Sequence, residues 1–147
     1  MTTRCFEELS LGETHRAGPR TVHERAIVEF AERYDPQDLH VDREAAERSL
    51  FGGLVASGWH TAAVSMRLLV DEFLNEVAVV GALRVDDLRW RKPVYGGDEL
   101  TATMTVIEKE PWDEAKGKVV LELVTHNQNG ETVHERKDLV LVGRASE

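Results

Sequence analysis

The segment that most restricts the possible folds is an apolar run with helical spacing and almost no charge. Trp59, Ala62, Ala63, Met66, Leu69, Val70 and Phe73 step by three or one, which places them along one stripe of an α-helix. Val64 and Leu68 widen that stripe past a single face, and Arg67, Asp71 and Glu72 bring charge only late in the run. A surface helix keeps a polar face for water. This one lacks it, so the pattern predicts a buried helix wrapped by other structure.

Ahead of that helix, residues 6–18 read as a short irregular strand after a Leu11-Gly12 turn. Thr21 is a candidate N-cap with Glu24 completing a capping box, and the helix it starts buries Ile27, Phe30 and Ala31 before stopping ahead of Pro36. Residues 35–41 then form a loop, and residues 43–49 a short helix capped by Asp42. After the apolar helix the period changes to two. Leu83, Val85, Leu88 and Trp90 alternate, with a phase break at Asp86-Asp87 that predicts a bulge. Leu100, Ala102, Met104 and Val106 form a half-buried strand, and Val119, Leu121 and Leu123 another. Asn129-Gly130 is a hairpin signal, and residues 139–142 close the chain as a final strand. Early helices, one buried helix and a succession of strands predict an α+β fold with an antiparallel sheet curled around the helix. With no repeat or linker, residues 1–147 read as one domain.

Composition narrows the function. A formal net charge of -9 disfavours nucleic acid and anionic lipid as partners, because like charges repel. The single cysteine, Cys5, allows no internal disulfide, and there is neither a signal segment nor a run near the roughly 18 apolar residues that span a bilayer. A cytoplasmic protein is expected, without a membrane. The six histidines are scattered without ligand spacing, so no metal is expected either.

One stretch sets an acid and an imidazole together: Asp35-Pro36-Gln37-Asp38-Leu39-His40. Taken alone, an Asp-Pro turn and a histidine are common structural features. Here they precede a glycine-punctuated lead-in to the apolar helix. The order of parts resembles the MaoC-like dehydratase and R-specific enoyl-CoA hydratase family of hot-dog folds. The matching residues are Asp35 and His40 at their spacing, Phe51-Gly52-Gly53, Ser57-Gly58-Trp59, Arg91-Lys92-Pro93-Val94, and Gly96-Gly97-Asp98-Glu99-Leu100.

That resemblance implies a homodimer or dimer of dimers acting on an acyl-CoA thioester, with coenzyme A part of the substrate and no separate cofactor. Asp35 would be the general base on a water, and His40 would orient that water and share in proton delivery to the α-carbon. Gly58 would offer its amide as the oxyanion hole. Its alternative is close packing of the helix on a strand. Gln37, Ser57, Trp59, Arg89, Arg91 and Lys92 are the candidate substrate contacts, the three cations either drawing CoA phosphates or forming a solvated strand face. His60 either lines the acyl pocket or is bonded within the helix's first turn, while His126 and His134 read as surface residues. The chain departs from the family pattern at Gln37 and Asp38, where Asn and Pro are usual, and at Ser57, where His is usual. A hot-dog thioesterase would need an acid on the buried helix, and none occurs before Asp71. A non-catalytic acyl-CoA-binding subunit is the other alternative.

Overall fold

Period-two patterning becomes five strands of one antiparallel sheet. They are β1 (Thr14–Thr21), β2 (Val79–Trp90), β3 (Glu99–Pro111), β4 (Lys116–His126) and β5 (Thr132–Gly143), in the order β1-β3-β4-β5-β2. This is a computed structural model describing residues 3–145. Four helices complete it: α1 (Glu24–Tyr34), α2 (Asp38–Val41), α3 (Arg43–Glu47) and α4 (Gly58–Glu72). The long helix α4 packs across β1, β3, β4 and β5.

The core lies between α4 and the sheet. Leu100, Ala102, Met104 and Val106 of β3 and Val119, Leu121 and Leu123 of β4 are all buried, the alternation expected of half-buried strands. Leu68 and Leu69 meet them from α4. Each large aliphatic buried this way contributes about 1.5–3 kcal/mol. The predicted bulge is present in β2, where the register with β5 shifts between Asp86 and Arg89 and Asp87 takes φ 52°. The Asn129-Gly130 turn is present too, with Gly130 at φ 75° and Asn127 N–H bonded to Glu131 O at 3.0 Å.

Several expectations need correction. The helix α4 is not wrapped on every side: Trp59 is 58% and Met66 40% exposed, and Ala63 between them is also open. Thr21 does not cap α1. It pairs with Glu99 as the last residue of β1, and the N-cap is His23, which makes no side-chain cap bond. Residues 38–41 are helical rather than loop, and the first strand begins at Thr14, beyond a 3-10 turn at Phe6–Glu8. The last strand starts at Thr132, well before the predicted position; its charged first half hid it from the apolar pattern. His134 is fully buried there, not on the surface, and sits beside a buried ion pair of Arg136 and Asp138 at 2.8 Å. Among the described residues no helix is long and apolar enough to cross a membrane.

Candidate active site

Pro36 stops α1, because the residue before a proline is disfavoured in helical geometry. Asp35 becomes the C-cap, its amide still bonded to Ala31 O at 2.8 Å. The chain then coils into α2, which turns His40 inward, 5% exposed. The two side chains converge: Asp35 Oδ2 lies 3.4 Å from His40 Nε2.

Each is held by other groups. His40 Nδ1 lies 2.6 Å from Val55 O. A carbonyl only accepts, so Nδ1 carries a proton and Nε2 is the nitrogen that faces Asp35. Gln37 Nε2 donates to Asp35 Oδ1 at 2.6 Å and Ser57 Oγ donates to Oδ2 at 2.7 Å. Those two donors, with a smaller pull from His40, hold the Asp35 carboxyl below the usual carboxylate range.

The helix α4 starts beside this pair. Ser57 is its N-cap, and its Oγ accepts the Trp59 N–H at 3.3 Å. That leaves the Gly58 N–H without a hydrogen-bond partner among the described residues. It stands at the positive end of the helix dipole. Close packing against a strand requires glycine here. A Cβ added at Gly58 would lie 2.4 Å from Cε2 of Trp90, whose indole covers that side and donates from Nε1 to Gly58 O at 2.8 Å. Trp59 meets Trp90 edge-on at 5.0 Å. Of the two readings of Gly58, close packing is directly visible. The free amide leaves the oxyanion role available as well.

His40, Gly58 and Trp90 line a cleft of about 360 Å³, walled also by Leu39, Phe51, Val55 and Thr61. Arg91 and Lys92 reach this cleft, but each already has a carboxylate, Glu135 at 2.5 Å from Arg91 and Glu131 beside Lys92. Arg89 does not reach it and lies in a separate groove with Asp87 and Glu122. Gln37 Nε2 and Ser57 Oγ each donate a hydrogen bond to Asp35. Asp38 is exposed. His60 is buried and stacks on Phe30 at 4.8 Å, and burial pushes its pKa down. Trp90 is the site residue that sequence reasoning missed. Its only signal was an aromatic at the end of a strand.

A profile of the MaoC like domain matches residues 8–128. The chain belongs to this family. Among curated proteins, the MaoC-like chain is 32% identical over 139 residues to the uncharacterized protein YdeM of Bacillus subtilis, covering 95% of this chain and 99% of that one. A MaoC-like dehydratase from Rhodospirillum rubrum superposes with a TM-score of 0.86 at 38% identity, covering 98% of this chain and 99% of the other. A monoamine oxidase regulatory protein from Archaeoglobus fulgius superposes with a TM-score of 0.92 at 29% identity, covering 99% and 98%. The MaoC-like chain therefore has the hot-dog fold expected from its sequence, a single five-stranded sheet curved around α4.

Proposed function

We propose that this MaoC-like domain adds water to a 2-enoyl-CoA thioester, or removes it from the 3-hydroxyacyl-CoA. The observation that carries this reading is the 3.4 Å approach of Asp35 Oδ2 to His40 Nε2, where His40 and the start of α4 at Gly58 line one cleft. A water donating one hydrogen to each acceptor keeps a lone pair free for the β-carbon. As that oxygen bonds to the β-carbon, its proton passes to His40 Nε2 and electrons move onto the thioester oxygen. The Gly58 amide and the helix dipole stabilise that oxygen. The imidazolium then returns the proton to the α-carbon, and dehydration runs the same steps backwards.

This assigns the proton to His40 rather than to Asp35. An imidazole is ordinarily the stronger base by about 2–3 pKa units, and Asp35 is further weakened by its two donors. Asp35 then orients the water and balances the imidazolium charge. Coenzyme A belongs to the substrate, and its phosphates would compete with Glu135 and Glu131 for Arg91 and Lys92. A second copy of the chain is the expected partner. The outermost strand β2 exposes Val80, Leu83 and Val85, and α4 exposes Trp59 and Met66.

The test follows trans-2-enoyl-CoA absorbance alongside a thiol assay for free CoA. Loss of enoyl absorbance without thiol release is expected. Thiol release alone would assign a thioesterase, and silence in both assays with measurable CoA binding would assign a non-catalytic binding subunit.

A further inference from the structure

We propose that Ser57 is a positioning residue that ties the acid of the dyad to the oxyanion end of α4, so that one hydroxyl sets the water against the thioester. The proposal deepens the hydratase reading and rests on it. Ser57 is fully buried, so solvent competes for none of its bonds. A hydroxyl has one hydrogen to give and two lone pairs to receive. A carboxylate only accepts, so the hydrogen goes to Asp35 Oδ2 at 2.7 Å, and a backbone amide only donates, so Trp59 N–H fills a lone pair at 3.3 Å. The directions are fixed by the partners.

The same short stretch holds the other half of the dyad. Val55 O fixes His40 Nδ1 at 2.6 Å, while Val55 N–H bonds to Leu39 O at 3.2 Å and Ala56 N–H to Val94 O at 2.8 Å. Residues 55–57 thus clamp both reacting side chains and then become the tip of α4. If Ser57 only capped the helix, its loss would cost stability and nothing specific to Asp35. If it positions Asp35, its loss acts through that carboxylate.

A double-mutant cycle separates these. Ser57→Ala is expected to lower kcat about ten-fold, the equivalent of one charge-assisted hydrogen bond, with KM changed less than about two-fold. In an Asp35→Asn background the same change should cost less than about three-fold, because its target is already altered. Carbon-13 NMR of the Asp35 carboxyl should show its titration moving up toward the ordinary carboxylate range in Ser57→Ala. Ser57→Cys, close in size with a weaker donor, carries the same test if alanine disturbs folding. Equal losses in both backgrounds, or an Asp35 titration that does not move, would overturn the proposal. The titration needs no turnover. A protein inactive on enoyl-CoA whose Asp35 titration still shifts would sink the hydratase reading and keep the Ser57–Asp35 tie.

Discussion

A carboxylate that accepts hydrogen bonds from Gln37 and Ser57 is a weaker base than one facing water, and an imidazole pinned through Nδ1 offers one nitrogen only. At the residue scale these constraints rank the two side chains. His40→Gln should lower kcat by about 10²- to 10⁴-fold, the usual contribution of a general acid–base group. Asp35→Asn keeps an acceptor for water and should cost less, on the order of 10²-fold, with circular dichroism confirming that both variants fold. The reverse ranking would return the base to Asp35. Asp35 and His40 stood out through the family resemblance rather than through their spacing alone, since an Asp-Pro turn and a lone histidine are common, and the fold brings their side chains to 3.4 Å. Ser57 was read as a substrate contact and Trp90 only as a strand residue, because their partners, Asp35 and Gly58, are distant in sequence and only folding brings them together.

Among the elements, α4 was the most legible and yet incompletely read. Hydrophobic period located the helix, but its inner face includes His60, Thr61 and Ser65, and part of its apolar stripe points outward. Ser65 is tolerated inside because its hydroxyl lies 2.7 Å from Thr125 Oγ1. The first half of β5 escaped the reading for the same reason, since His134, Arg136 and Asp138 spell a polar surface in any one-dimensional pattern. Arg136 makes these residues compatible with burial by bonding to Asp138 and to Ala62 O of α4 at 3.0 Å. Burial, and then the Arg136 charge, push the His134 pKa down to about 4. The unfolded chain takes up this proton near pH 6.5, while the folded one refuses it until about pH 4. Stability from this group is therefore complete above the unfolded value and is lost as pH falls, by on the order of 3 kcal/mol at pH 4. Urea unfolding at pH 7.5, 6 and 5 should show a steeper decline for the wild type than for His134→Gln. Parallel declines would mean that His134 takes up its proton as readily in the folded protein as in the unfolded chain.

For the whole molecule, the antiparallel sheet around a long helix followed from periodicity and the family resemblance, whereas the strand order and the open face did not. A reading of one chain treats every apolar residue as interior, and it has no means of distinguishing a core from a surface that a second copy covers. Leu83 is 53% exposed on the outermost strand. Leu83→Lys should shift the protein from dimer to monomer in sedimentation velocity, since a charge buried in a symmetric contact is doubled across the twofold axis. A wild type that sediments as a monomer at every concentration would remove the dimer from the proposal.

The indole of Trp90 lies where a methyl group at position 58 would have to go. Neither residue is free to drift alone. Descendants of this chain that acquire alanine at 58 must shrink residue 90 in the same lineage or lose the seat of the helix, so the two columns should covary even though they stand 32 positions apart.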